Sequence, residues 1–497
     1  MLKDEIEIMA LDIEATEQIR HDFRLQFHSE QWEAFENITA LLEEVRRYWI
    51  RADYRRVQQH LSKHIERVDA ATEAAHENSR DAYNRLRRLR QRKIPPDPGE
   101  VTSIEAEYKH ASFDHELYLR LGHQYRMVGD AIAWQLYNFQ SLPIYALGMN
   151  QSPGPHTSFK KVGTEVEEEA VDKLWNEHGA FALRHDYTNC LRGWDLSILY
   201  PDLSRKIVEV KVEGREIKSR QQKKGERSAK LITHNECITP DGHSLFHRSH
   251  STQSSDKVVR TNLTLLQDAI VQAAEEGIGY ASHSYLAVTV LDMTKLATTS
   301  ISNQQMYKKL IEIRDMPPAW EPYCTDIISG YSFHRKARSS LLVPYTIYPL
   351  PSDNASALVT GYFRAHFQLN TAAITQALSE TGFEVECLLG KWRTEGTRVP
   401  KKLKAPYFRV HKGTMTMNVH DLSIEQMLFE GLPLEDFVAS VVADYKTLMA
   451  QKDSIASTCA CGNPQHFQTI STFTCLEDVW YASREYLSES SESTEVE

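Results

Sequence analysis

Residues 1 to about 93 lack both Gly and Pro and are rich in helix formers. A stretch of that length and composition has no punctuation at which strands could turn, so it is committed to long helices. The apolar residues Trp32, Phe35, Ile38, Leu41, Leu42, Val45 and Trp49 recur at spacings of three and four, which is the stripe of an amphipathic helix. We therefore expect a helical hairpin or bundle over 1–93, with basic residues crowded at Arg46-Arg47 through Arg55-Arg56 and from Arg85 to Lys93. The run Ile94-Pro95-Pro96-Asp97-Pro98-Gly99 breaks it. A helical connector is expected over 94–155, with helix from roughly 103 to 147, closed by Asn150-Gln151-Ser152-Pro153-Gly154-Pro155.

Beyond that break the pattern turns to mixed α/β. A helix is expected at 164–178, a strand near 180–188, then two more strands, Gly193 to Tyr200 and Lys206 to Val212. A polar and basic stretch, 214–257, intervenes before a helix from Thr261 to Glu276, ended by Gly277 and Gly279, and an apolar strand from Tyr285 to Leu291. From 301 to 487 the chain reads as an α+β region of unassigned role, with strands near 341–349 and helices near 371–380 and 421–449. An acidic, low-complexity tail covers 488–497 and is expected to be disordered. The whole is thus multidomain: an N-terminal α-helical region, a central α/β core over 156–300 and a C-terminal α+β region.

The two central strands carry the chemistry. Side chains alternate along a strand, so Glu209 and Lys211 face one way while Val208, Val210 and Val212 face a core. On the preceding strand Trp194, Leu196 and Ile198 share a face and Asp195 lies opposite. The turn Pro201-Asp202-Leu203-Ser204 allows the two to pair as a hairpin, which sets Asp195 beside Glu209 and Lys211. Two such carboxylates favour a hard divalent cation, and a neighbouring ammonium can orient a water. Upstream, Glu167 shares a helical face with Ala170, Val171 and Leu174, and a carboxylate on an apolar face needs a partner or a metal. Asp202, in the turn, ranks below Asp195 as a ligand.

The helix Gly163-Thr164-Glu165-Val166-Glu167, followed by Asp195 and then by Glu209-Val210-Lys211, resembles the PD-(D/E)xK, or restriction-endonuclease-like, nuclease superfamily over about 130 of 497 residues. Trp194-Asp195 stands where the family name has Pro-Asp. The resemblance implies a four-stranded mixed sheet flanked by helices and Mg²⁺-dependent phosphodiester cleavage, with Mn²⁺ as a substitute. It also implies Asp195, Glu209 and Glu167 as metal ligands, with Lys211 positioning the attacking water. Acid-x-Lys triplets are common, and Glu107-Tyr108-Lys109, Glu216-Ile217-Lys218 and Asp444-Tyr445-Lys446 occur in this chain too.

Net charge is −11, which taken alone argues against a polyanionic partner. The local field differs. From Arg215 to Lys230 seven Lys or Arg stand against two Glu, a balance of +5, and Lys218, Arg220, Lys223, Lys224, Arg227 and Lys230 are expected to hold phosphates of a nucleic acid, in the first place DNA. His234, Cys237, His243, His247 and His250, and separately Cys459, Cys461, His466 and Cys475, offer zinc-type donors without a paired Cys-x2-Cys knuckle, so zinc is the lesser expectation. No phosphate-binding loop, dinucleotide turn or nucleophile elbow is present. The aromatic string Gly361 to Phe367 could stack bases, but a half-buried strand is the better reading. Seven cysteines and no secretion signal or apolar span point to a reducing cytoplasm and no membrane. Two function classes stay open: a metal-dependent nuclease in restriction, phage defence or repair, and a non-catalytic interaction or nucleic-acid-binding protein that assembles, as a homo-oligomer, through its N-terminal helices.

Overall fold

The computed structural model describes residues 21–47, 54–91, 97–137, 164–191, 194–208, 263–298, 350–387 and 432–458, with shorter pieces at 144, 147, 210, 236–238, 244–247, 327–331, 344–348, 408–413, 415–419, 424 and 426–430. The chain divides into two compact units, one of Met1–Ser249 with His334–Gly361, the other of His250–Phe333 with Tyr362–Glu497.

In the first unit helix α1 spans Ser29–Arg47, α2 Arg55–Arg90 and α3 Pro98–Leu136. Residues of α2 and α3 meet in reverse order along their whole length. Tyr54 bonds to Gln135, His64 stacks on Tyr125, His76 faces His115, Ser79 bonds to Ser112 and Arg90 pairs with Glu105. The segment expected as a connector is therefore the second arm of an antiparallel hairpin. Its start is set by the same Pro-rich run that breaks the chain. Asp97 caps the helix by accepting from Gly99 N at 3.0 Å, and Pro98 takes the first position, where its missing N–H costs nothing. The expected start near 103 was late because proline was read there only as a breaker.

The hairpin interface holds two imidazoles whose charging is disfavoured. Burial, and then the nearby Arg67, lower the pKa of His64 below its ordinary 6.5. Burial and His76 do the same for His115. A group whose folded pKa is depressed binds fewer protons when folded, so stability falls as pH drops below 6.5 toward the folded values. Urea midpoints measured at descending pH should decline over that window, and His115→Gln should flatten part of the decline.

A return segment completes this unit. Helix α7, Ser352–Thr360, ends on Gly361 at φ 83°. The Thr360 carbonyl at its C-terminus accepts from Gln26 (3.1 Å), Gln31 (3.3 Å), Arg120 (3.0 Å) and Gln124 (3.4 Å). Before it, Tyr345–Ile347 forms a 3-10 turn where a strand near 341–349 was expected. The β-rich composition of that stretch is overridden by its surroundings. Pro344 and Pro351 flank it, and the half-buried Arg46 guanidinium donates to Tyr348 O and Ser352 Oγ, both at 3.2 Å, and to Leu350 O. Burial brings the pKa of Arg46 down to about 10.

The first sheet also belongs here. Helix α4 is Thr164–His178, followed by β1 Phe181–Arg184, β2 Leu196–Leu199 and β3 Arg205–Val208. The strands run antiparallel in the order β1-β2-β3, with Leu196 opposite Val208 and Arg184 opposite Leu196. One face carries Ala180, Ala182, Leu196 and Ile198, closed by Ala170, Val171 and Leu174 of α4 together with Val208 and Val210. The opposite face meets the helical hairpin, where Tyr54 and Phe181 lie edge to face at 5.7 Å. Covered on both sides, all four β2 residues are buried. The outer edge of β1 is satisfied by a side chain: Gln58 of α2 donates to Ala182 O at 2.9 Å and accepts from Arg184 N at 3.3 Å. A second hairpin, β4 Glu236–Ile238 with β5 Ser244–His247, follows.

In the second unit helix α5, Leu263–Glu276, covers a sheet of β6 Ile278–Ser282, β7 Leu286–Asp292, β8 Ile327–Tyr331 and β9 Phe363–Asn370 in the order β6-β7-β9-β8, all antiparallel. A short helix, α6, Met293–Thr298, follows β7. Helix α8, Thr371–Glu380, is capped by Asn370. A three-stranded sheet of β10 Glu384–Cys387, β11 Phe408–Lys412 and β12 Met415–Val419 and a helix α9, Leu434–Thr458, complete it. The helix expected from 421 is interrupted: a π-helical turn covers Gln426–Glu430, and α9 starts after Pro433.

Two expectations for the core change. The described first sheet has three strands, all antiparallel, rather than four in a mixed sheet. The strand expected from Tyr285 to Leu291 within the core is β7 in the sheet of the second unit, so the expected core 156–300 falls across both units. Beta7 pairs with β6 across a three-residue connection, a far cheaper loop to close than one reaching back to β3. The aromatic string is β9, with Phe367 and His366 buried inside that sheet and out of reach of a base.

Candidate functional site

The mouth of the β2–β3 hairpin is built by a backbone irregularity. Trp194 takes φ 71°, so the alternation that would set it on the Leu196 face ends one residue before the strand. Asp195 follows. Its N–H donates to Val208 O at 3.2 Å and its carbonyl accepts from His185 N at 2.9 Å, so its backbone is held from both neighbouring strands. Its side chain reaches across the hairpin, Oδ2 accepting from Val210 N at 2.7 Å. The Asp195 carboxylate therefore touches the backbone of the residue between Glu209 and Lys211 in sequence. Glu209 and Lys211 themselves lie outside the described residues, as do Lys218, Arg220, Lys223, Lys224, Arg227 and Lys230.

Glu167 sits on the buried face of α4, as its spacing from Ala170, Val171 and Leu174 requires, and is 6% exposed. Of the two needs of a buried carboxylate, it meets the first. Arg184 at the end of β1, 2% exposed, lies 3.3 Å from Glu167 and 3.0 Å from Glu168. The same guanidinium donates to Tyr187 Oη at 2.6 Å and lies over the Tyr187 ring at 4.5 Å. Burial opposes the charge of Arg184, but Tyr187, Glu167, Asp186 and Glu168 together hold its pKa above the ordinary range. Burial also raises Glu66, with Glu168 adding repulsion. The charge on Glu167 is thus compensated within the protein. Sequence reasoning passed over Arg184, although an arginine closing the apolar strand Phe181-Ala182-Leu183 was a visible signal for a buried partner.

The loop from β1 to β2 is fastened to α3, and this fastening sets where Asp195 begins. Arg126, 1% exposed, pairs with Asp69 of α2, 2% exposed, at 2.7 Å and donates through Nε to Asp186 O at 2.8 Å. Asp130 is buried and accepts from Asn189 N at 2.6 Å, Cys190 N at 2.8 Å and Asn189 Nδ2 at 3.0 Å. Burial raises its pKa, while those donors oppose the rise. His185 Nε2 and Tyr137 Oη both meet the buried Ser197 hydroxyl, at 2.6 and 2.7 Å. These three groups are buried, so the Ser–His contact braces the sheet. Between Arg126 and Asp130, Gly129 passes so close to the loop that an added Cβ would lie 1.8 Å from Tyr187 O. Gly129→Ala should cost about 1–3 kcal/mol or more of stability, because backbone rather than a side chain must yield; a urea titration of the purified variant measures it.

Asp202 is a turn residue. It accepts from Ser204 N at 2.9 Å and Ser204 Oγ at 2.6 Å, and these bonds hold its carboxyl below the ordinary range. Of the zinc-type donors, Cys237 and His247 lie on β4 and β5 without described side chains, and His234, His243, His250, Cys459, Cys461, His466 and Cys475 lie outside the described residues. Among the described residues no three His, Cys, Asp or Glu side chains gather as a metal site would, and no helix is long and apolar enough to cross a membrane. No known protein family, curated protein or solved structure matches this chain.

Proposed function

We propose that this chain is a metal-dependent nuclease that hydrolyses phosphodiester bonds of DNA, with its reacting centre at the mouth of the β2–β3 hairpin. The observation that carries this reading is the Asp195 carboxylate hydrogen-bonded to Val210 N, inside the triplet Glu209-Val210-Lys211. A carboxylate oxygen has two lone pairs, so one backbone N–H orients the group without exhausting it as a ligand. Asp195 and Glu209 are the oxygen donors that suit Mg²⁺ or Mn²⁺. Glu167, compensated by Arg184, fits such an ion less well, and in this reading it helps hold α4 on the sheet. A divalent ion bound there would supply charge for a phosphate oxygen and a lowered pKa for water. Lys211 would orient that water and offset charge developing on the phosphate, and the basic stretch 215–230 would grip neighbouring phosphates.

Incubation of supercoiled plasmid with the protein tests this. Cutting in Mg²⁺ that stops in EDTA, and that is lost in both Asp195→Ala and Lys211→Ala, is the expected result. Metal-dependent cutting that persists in both variants would remove this site from the chemistry.

The second reading is a non-catalytic protein that assembles through its helical region. It is favoured by the Glu167–Arg184 pair, which leaves the metal fewer donors, and by the exposed Phe27 and Trp32, 40% and 48% accessible. Light scattering separates it: a stable oligomer that dissociates in Trp32→Glu, in a protein that does not cut DNA, is its signature.

A further inference from the structure

The distal end of the helical hairpin carries an unbalanced basic face. At 100° per residue, Arg80, Asn84, Arg87 and Gln91 of α2 and its cap fall within about 60° of one another, with Arg88 and Tyr83 at the flanks. The buried residues of the same stretch, Ala82, Leu86 and Leu89, lie about opposite, so this stripe faces away from the core. Arg80, Arg87 and Arg88 are all exposed. Among the described residues no carboxylate lies within ion-pair distance of them. The other two arginines of the segment are spent on α3, Arg85 on Glu107 and Arg90 on Glu105. Two acids adjoin the stripe: Asp81, and the exposed Glu77 about one turn before Arg80 on the Arg88 side. Tyr83 is 52% exposed and leans on Tyr108 at 5.9 Å, a ring held at the edge of the stripe.

Exposed arginines on one helix face, without a carboxylate partner among the described residues, suit a polyanion. Arg80 and Arg87 are about 10.5 Å apart along the axis at 1.5 Å per residue, so the two guanidinium groups can engage separate phosphates of one backbone. Arginine matches phosphate by a two-pronged donor geometry that lysine lacks, and an exposed ring can lie on a sugar or a base. We propose that the Arg80/Arg87/Arg88 face of the helical hairpin is a nucleic-acid backbone-binding surface. It acts independently of any cutting site, and it is a different segment of the sequence from the basic stretch 215–230.

The test uses the full chain in EDTA, so the outcome does not depend on catalysis. Anisotropy of a labelled DNA duplex is followed across a salt series for the wild type, R80E/R87E/R88E and R80K/R87K/R88K. All three positions face solvent, and circular dichroism checks that helix content is unchanged. The glutamate variant should bind at least about tenfold more weakly at low salt, and its slope of log affinity against log salt should fall by about 2.7, at 0.9 per phosphate contact. The lysine variant should keep most of the slope. Equal affinity and slope in wild type and glutamate variant, or no duplex binding by the wild type, overturns the proposal. Loss of binding to anionic phosphatidylserine vesicles with DNA binding unchanged overturns it as well, in favour of a membrane surface.

Discussion

Asp195→Ala should lower the rate of Mg²⁺-dependent plasmid cleavage by more than about 100-fold, since even the residues that merely support a metal ligand are worth 10–100-fold. The fold around it should survive. The backbone of Asp195 is held by Val208 O and His185 N whatever the side chain is, and the substitution removes the bond from Val210 N. That single neutral donor losing its charged acceptor costs about 1.5–3 kcal/mol, enough to loosen the strand carrying Glu209 and Lys211 but not to unfold the unit. Asp195→Asn is the sharper probe, because its amide oxygen can still accept from Val210 while the negative charge is gone. We expect Asn to restore stability and not activity. If Asn restored cleavage as well, Asp195 would act through the hairpin's shape and not through its charge.

The largest stability effect is expected at the Asp69–Arg126 pair. Both side chains are almost wholly enclosed, and removing one partner leaves an uncompensated charge in the interior, which costs about 3–5 kcal/mol. Arg126→Met should lower the first unfolding transition by roughly 6–20 °C at about 2–4 °C per kcal/mol. The loss is larger than for an isolated pair on α2 and α3, because Arg126 also holds Asp186 O at the start of the loop that leads to Asp195. Asp69→Leu combined with Arg126→Met should recover most of it, since an apolar pair of similar volume carries no buried charge. Scanning calorimetry on the two single variants and the double variant gives the coupling directly. A double variant as unstable as the sum of the singles would show that the ion pair does not account for the loss.

Much of the local structure was legible from side-chain patterning. The valine and leucine alternation identified the faces of β2 and β3, and the packing of Leu196, Ile198, Val208 and Val210 in one cluster follows it. Helix α4 and helix α8 begin and end where periodicity and punctuation put them. What pattern could not reveal is partnership. Strand β7 was recognised as a strand, but nothing in its own residues says which sheet it joins. The stretch around Tyr345 has the β-branched and aromatic composition of a strand, yet its carbonyls are taken by Arg46, about 300 residues earlier in the chain. Glu167 was recognised as a carboxylate needing compensation, and whether a metal or an arginine supplies it depends on Arg184, which only the folded sheet brings to it. The start of α3 was misjudged for a local reason, since one proline can both end a helix and open the next.

The central claim is that Asp195 belongs to a divalent-cation site at the β2–β3 hairpin. Calorimetric titration of the metal-free protein with Mn²⁺, set beside Asp195→Asn, tests it most directly. One saturable binding event in the wild type, weakened at least about tenfold in the variant, is the result expected. Identical isotherms for the two proteins, or no heat at millimolar Mn²⁺ in either, would contradict it.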